Sequence, residues 1–265
     1  MTGLVFYPKS HRYKLDGAWV PGVTTLIGKG LPKPAIPYWA ARTVAEWVAD
    51  NPDLTEDLKR MGGRGPAVAF LKELPWQKRD EAAIRGTDVH ALAERIVHGE
   101  EVEVPDHLTG YVQGYVDWLD VSGFQPLLTE RACASRQWGY AGTFDAIGTF
   151  DRGPLAAQTV LLDWKTSSGV YGETALQTAT YASAEFYNDD EGSETPLPEV
   201  TATGVVHVQD GHSELYVLAY TPAEIAEAFR VFTHIAYVAK RVPWIGDRIG
   251  EPIALQQYTT EGITP

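Results

Sequence analysis

The sequence predicts an α/β protein: a central mixed β-sheet flanked by helices, carrying an N-terminal extension. Three observations carry that reading. A helical pattern around residue 90 is followed by three strand-like runs, another helix and two more strands, an order that a mixed sheet with packed helices satisfies. At 265 residues the chain holds one full α/β core with an elaboration and is short for two independent cores. Hydrophobic residues make up 44% and charged residues 22%, with 8 Trp and 13 Tyr to fill an interior, so a packed chain is expected. The expected organisation is one domain, 1–265, divided into an N-terminal extension (1–79), a core (80–240) and a tail (241–265).

Residues 5–20 alternate polar and apolar around Tyr7, Tyr13 and Val20, and Asp16-Gly17 is a turn signal, which predicts a small β-hairpin. Pro21-Gly22-Val23-Thr24-Thr25 leads into a short segment and a proline-bounded loop over 31–37. Tyr38 to about Val48 is helical in pattern, and the cluster Gly62, Gly63, Gly65, Pro66 marks a break. From Asp80 to about Val97, apolar Ala83, Ile84, Val89, Leu92, Ala93 and Ile96 fit an amphipathic helix, with Gly99 as its stop. A second helix is expected over 106–119, then strands over 127–134, 140–150 and 159–166. A helix over 173–187, an acidic loop, strands over 201–208 and 214–219, and a final helix over 222–241 complete the order.

No apolar run approaches the roughly 18 residues of a membrane-spanning helix, and no basic stretch followed by an apolar segment opens the chain, so a cytoplasmic protein without membrane contact is expected. Cys133 is the single cysteine, which excludes an internal disulfide and an iron–sulfur cluster or zinc site held by several thiolates of one chain; a small buried residue on a strand is expected there. The net charge of -13 argues against a uniformly basic nucleic-acid coat, yet the charges are unevenly placed. Glu185, Asp189, Asp190, Glu191, Glu194 and Glu199 form an acidic stretch, whereas Lys9, Arg12, Lys14, Lys29, Lys33 and Arg42 precede a second basic cluster from Lys59 to Arg85. Nucleic acid, if bound, is expected along these N-terminal elements. No G-x-x-x-x-G-K-[ST] loop is present, so ATP hydrolysis is not expected.

The chemistry concentrates in Leu161-Leu162-Asp163-Trp164-Lys165, where charge interrupts an apolar strand. Side chains two apart share a face, so Asp163 and Lys165 point one way and Leu162 and Trp164 the other. A hairpin with the preceding strand, Gly142-Thr143-Phe144-Asp145, brings Asp145 beside Asp163. Two carboxylates in an apolar sheet repel each other unless a cation sits between them, and oxygen donors suit Mg²⁺ or Mn²⁺. His90 lies on the preceding helix, with Glu94 on the same face, and an imidazole among oxygens favours Mn²⁺ slightly. Gln177 and Tyr181, four apart, share a helix face toward the same pocket, and Glu130 is a further carboxylate in the first strand of the group.

The ordered set Gly86-x-x-x-His90, Glu130, Gly142-Thr143-Phe144-Asp145, Asp163-Trp164-Lys165 and Gln177-x-x-x-Tyr181 resembles the PD-(D/E)XK nuclease superfamily. Within it the pattern is most similar to the RecB-type branch that includes phage recombination exonucleases and CRISPR-associated adaptation nucleases. The likeness covers residues 83 to about 220. His11-Arg12-Tyr13, Pro21-Gly22-Val23-Thr24-Thr25, Leu31-Pro32-Lys33-Pro34 and Trp39-Ala40-Ala41 also resemble the start of exonuclease-like proteins from phages of actinobacteria. No proline precedes Asp145, and the cluster-binding cysteines of many adaptation nucleases are missing, so the iron–sulfur subgroup does not fit.

The resemblance implies a restriction-endonuclease-like core and a Mg²⁺- or Mn²⁺-dependent DNA exonuclease acting in phage recombination, repair or processing. It implies that Asp145 and Asp163 hold the metal with His90 and the backbone carbonyl of Trp164, with Glu130 contributing through water. Lys165 positions the attacking water or stabilises the transition state, and Gln177 and Tyr181 orient the substrate strand. DNA is the implied partner, a single-strand annealing or recombination protein a further one, and the host cytoplasm the location for a phage-encoded chain. Two alternatives stay open: a structure-selective endonuclease or resolvase, and a catalytically silent DNA-binding protein with the same fold. Oligomeric state is not legible.

Overall fold

The computed structural model describes residues 3–97 and 100–252, apart from the side chains of Leu54, Met61, Ala82, Ala83, Ala93, Glu94 and Val97. Its elements run β1 (Leu4–Tyr7), β2 (Arg12–Leu15), β3 (Ala18–Val20), α1 (Val23–Gly30), α2 (Ala35–Asp50), α3 (Pro52–Gly62), α4 (Arg64–Val97) and α5 (Thr109–Ser122). There follow β4 (Phe124–Ser135), β5 (Tyr140–Phe150), β6 (Thr159–Lys165), α6 (Glu173–Ala182), β7 (Phe186–Asn188), β8 (Glu194–Pro196), β9 (Ala202–Gln209), β10 (His212–Ala219) and α7 (Pro222–Gly246). The protein is thus α/β, with a seven-stranded mixed sheet ordered β10-β9-β6-β5-β4-β7-β8 and a separate antiparallel sheet β1-β2-β3.

Strand β6 lies between β5, antiparallel to it, and β9, parallel to it. A strand with neighbours on both sides and helices over both faces needs apolar side chains throughout, which accounts for the run Val160-Leu161-Leu162. One core, containing Tyr140, Phe144, Leu161, Ala179 and Phe232, packs the sheet against α1, α6 and α7. The other, containing Val89, Tyr115, Trp118, Leu162 and Trp164, packs it against α4 and α5. Each large side chain removed from water in such a layer stabilises it by about 1.5–3 kcal/mol. Cys133 is fully buried, as expected for a small apolar residue on a strand.

Helix α7 starts where local chemistry directs it. Thr221 accepts from the Glu224 amide, the Glu224 carboxylate accepts from the Thr221 amide, and Pro222 fills the first turn. The turn between β2 and β3 has Asp16 at φ 51° and Gly17 at φ 83°, the paired left-handed geometry a tight hairpin requires.

Several boundaries differ from expectation. The N-terminal hairpin is the last two strands of a three-stranded sheet. The helix expected to begin at Asp80 begins at Arg64, directly after Gly63, whose φ of 75° ends α3. The expected helix over 173–187 stops at Ala182 because the Glu185 amide donates to the Ala134 carbonyl and Phe186-Tyr187 then pair with the free edge of β4. An open strand edge outcompetes a helical periodicity that reached only about one and a half turns further. The acidic stretch is not plain loop, since Glu194–Pro196 pairs with β7. Gly99 and residues 253–265 of the expected tail lie outside the described residues.

Candidate metal centre

On β6, Asp163 and Lys165 share the face that α6 covers, while Leu162 and Trp164 fill the opposite core. The Lys165 Nζ lies 2.5 Å from Asp163 Oδ2, and Gln177 Nε2 donates to Asp163 Oδ1 at 2.9 Å. Tyr181 follows one turn after Gln177, its hydroxyl 3.4 Å from the Gln177 amide. Helix α6 approaches this closely because residue 142 is glycine: a Cβ there would fall 2.3 Å from the Tyr181 ring. Asp163 is 2% exposed. Burial raises its carboxyl to about 6, the Lys165 charge opposing and the Asp145 charge adding to the rise. Burial by itself would lower Lys165, but the charges of Asp163 and Asp145 outweigh it and hold the ammonium above its ordinary value. Burial likewise pushes the Tyr181 hydroxyl well up, so it stays protonated.

The other half of the site comes from α4, β4 and β5. Gly86 lets α4 pass the end of β6, since a Cβ there would meet Thr166 Oγ1 at 3.3 Å. One turn later His90 Nε2 sits 2.8 Å from the Trp164 carbonyl oxygen, with Nδ1 3.7 Å from Asp145 Oδ2. The same Asp145 oxygen accepts from the Trp164 amide at 2.7 Å. The β5–β6 ladder closes at Ala146–Leu162, so Asp145 and Asp163 occupy the next opposed position, where the Asp145 side chain takes an amide in place of a main-chain carbonyl.

Strand β5 also changes face here. Phe144 lies in the α1/α6/α7 core and Ala146 in the α4/α5 core, although residues two apart on a regular strand share a face. Opposite Asp145, Glu130 sits at φ 48°, a left-handed conformation costing a non-glycine residue about 1–3 kcal/mol. The distortion brings ligand atoms of His90, Glu130 and Asp145 within 4.8 Å of one another.

These donors fit a hard divalent ion. Two carboxylates and an imidazole are a suitable set for Mg²⁺ or Mn²⁺. The 2.8 Å hydrogen bond between His90 Nε2 and the Trp164 carbonyl oxygen fixes the imidazole beside the two carboxylates. Among the described residues, Asp163 Oδ2 accepts no well-directed hydrogen bond and meets only the Lys165 ammonium.

The structure therefore brings together His90, Asp145 and the Trp164 carbonyl, and places Asp163, Lys165, Gln177 and Tyr181 in one connected set. It differs over Glu130, expected to act through water but placed directly among the ligand atoms, and over Asp163, which lies outside that group of three. The side chain of Glu94 lies outside the described residues. Two neighbours escaped the sequence reading. Tyr115 lines a small cavity beside Glu130, Asp145 and Trp164, and burial together with those two carboxylates raises its hydroxyl. His207, paired with Lys165 across β9, has its Nε2 2.7 Å from the Ser167 carbonyl oxygen and so pins the chain just after Lys165. Neither carries a local signal, since a helix tyrosine and a strand histidine acquire these roles only through partners distant in sequence.

No family model and no curated protein matches the chain. A solved structure, described as the crystal structure of SSO0001, is 14% identical to it, covering 59% of this chain and 74% of that one, with a TM-score of 0.27. Among the described residues no helix is long and apolar enough to cross a membrane.

Proposed function

We propose that this chain is a Mg²⁺- or Mn²⁺-dependent DNA exonuclease hydrolysing phosphodiester bonds. The single observation that supports it most is the convergence of His90, Glu130 and Asp145 within 4.8 Å beside an ammonium, Lys165, held by buried Asp163. A protein needing only a structural ion has no use for a lysine fixed next to the acidic ligands, whereas phosphoryl chemistry needs a fixed cation where negative charge develops. The order of motifs that resembles the PD-(D/E)XK superfamily supports the same reading.

In this reading His90, Glu130, Asp145 and the Trp164 carbonyl would hold the ion, and Asp163, outside that group of three, holds Lys165. When bound, the ion supplies Lewis acidity to the scissile phosphate and lowers the pKa of the attacking water. Lys165 stabilises charge building on the phosphoryl oxygens as water adds to phosphorus and the ester oxygen leaves. Asp163 keeps that ammonium oriented and charged, and Gln177 keeps the Asp163 carboxylate oriented in turn. With the proton on Nε2, shared with the Trp164 carbonyl oxygen, His90 Nδ1, 3.7 Å from Asp145 Oδ2, would have its lone pair available to the ion. DNA is the proposed partner, a single-strand annealing or recombination protein a further one, and the cytoplasm the proposed location.

The test is digestion of single- and double-stranded DNA labelled at the 5′ or 3′ end, with Mg²⁺, Mn²⁺ or chelator. Metal-dependent release of mononucleotides or short products from linear DNA, with closed circles spared, is the expected result. Cutting of closed circles moves the assignment to an endonuclease, and metal-independent binding without cleavage moves it to a silent DNA-binding protein.

A further inference from the structure

The three-stranded sheet has two unlike faces. Leu4, Tyr13 and Leu15 turn inward and pack on Ala134, Ala141 and Phe186. Register pairs Tyr7 with Arg12 and Lys14 with Trp19, and paired residues share a face, so these four stand together on the outer side. The Arg12 guanidinium lies 3.9 Å from the Trp19 ring centroid, and the Lys14 ammonium lies 4.8 Å from that ring and 5.9 Å from the Tyr7 ring. The two ring centroids are 5.3 Å apart, and Tyr7 and Trp19 remain 38% and 48% exposed.

These cations differ from five other basic residues of the N-terminal region. Lys33, Arg42, Lys59, Arg60 and Arg79 each meet a carboxylate. Among the described residues Arg12 and Lys14 form no ion pair and are positioned by rings instead. A ring orients a cation through its quadrupole without neutralising it. The patch therefore keeps two positive charges without an ion-pair partner among the described residues, beside two partly exposed rings, on a chain of net charge -13.

We propose that this outer face of β1–β3 binds single-stranded DNA, its bases stacking on Trp19, Tyr7 and the Arg12 guanidinium and its phosphates meeting Arg12 and Lys14. Unpaired bases offer π-faces to such a platform, whereas a duplex hides them in its own stack and leaves only the charges useful. The sheet is anchored beside the candidate metal centre: the Tyr13 hydroxyl, on β2 between Arg12 and Lys14, hydrogen-bonds Thr143 Oγ1 at 3.0 Å, and Thr143 lies on β5 two residues before Asp145. Presenting the bound strand for cleavage rests on the nuclease reading; the binding itself does not.

Fluorescence anisotropy with the full chain, in chelator and low salt, on labelled oligothymidylate of about 15 nucleotides tests this. Trp19→Ala is expected to weaken binding roughly tenfold and Trp19→Phe to recover most of it. Arg12→Gln with Lys14→Gln is expected to flatten the salt dependence by about 0.7 per cation removed. A duplex of equal length is expected to bind more weakly and to ignore Trp19→Ala. Wild-type affinity in a folded Trp19→Ala variant, or a duplex equally dependent on Trp19, overturns the proposal. Should Trp19→Ala fail to fold, the two-charge variant, which removes no core contact, decides: an unchanged salt slope overturns it. Cleavage is scored separately. Trp19-dependent binding without metal-dependent cleavage sinks the nuclease reading alone, and cleavage without Trp19-dependent binding sinks the platform alone.

Discussion

The two halves of the candidate centre satisfy their acidic groups in opposite ways. On the β6–α6 side, Asp163 is sealed from solvent and already engaged by Lys165 and Gln177. On the α4–β4–β5 side, His90, Glu130 and Asp145 are half-buried and crowd their ligand atoms together around a distorted stretch of strand. A sealed half fixes geometry, because its groups have few alternatives. A half-open side lets an ion and a phosphate enter and leave. On the proposed reading, the contrast gives positioning to one half and ligand exchange to the other.

The largest effect should come from the sealed half. Asp163→Ala is expected to reduce cleavage to background, and Lys165→Ala to slow it by about 10²–10³-fold, both with circular dichroism like the unaltered protein. Full activity in either purified variant ends the assignment. Next, Glu130→Gln and His90→Ala should each weaken Mn²⁺ binding, read by calorimetry, by at least the roughly tenfold to hundredfold that changes in outer-shell partners cost. If instead Glu130→Gln leaves affinity unchanged, the open half does not hold the ion.

Packing gives a third contrast. Gly142→Ala drives a methyl group into the Tyr181 ring and should cost about 1–3 kcal/mol in urea denaturation. Gly86→Ala meets only the Thr166 hydroxyl at 3.3 Å and gains helix propensity, so its net effect should stay within about 1 kcal/mol of zero. Equal costs at the two glycines would erase the distinction between sealed and open sides.

The pH dependence of the metal-free protein is the subtlest test. The Asp163 carboxyl is raised from 3.8 to about 6 on folding, so the folded state holds its proton more tightly than the unfolded chain does. Its contribution is complete below pH about 4 and is lost as pH rises toward about 6. Denaturation midpoints in chelator should therefore fall across that window relative to Asp163→Asn, in which this slope should vanish. A rising midpoint relative to that variant would mean that Lys165, rather than burial, governs the Asp163 carboxyl.

Much of the architecture was legible because it is local. A strand-like run located β5 at 140–150 to the residue, and the apolar run that charge interrupts at Asp163 and Lys165 marked β6 as a strand. The spacing of Asp163 and Lys165 placed both on one face, and four-residue spacing did the same for Gln177 and Tyr181. Boundaries failed where a distant partner intervened, as where the edge of β4 captured the chain after Ala182.

By itself, then, the sequence determined which segments are strands and helices, and which acidic, basic and imidazole groups stand ready for chemistry, since periodicity and residue type act over a few neighbouring positions. Only the tertiary structure decided that Glu130 joins His90 and Asp145 while Asp163 pairs with Lys165 behind them. The reversal of β5 at Asp145, the left-handed Glu130 and the close approach of α4 at Gly86 arise from contacts between segments some 15 to 80 positions apart. Hydrogen bonds such as His90 to the Trp164 carbonyl are set by how layers pack, and no local pattern encodes them.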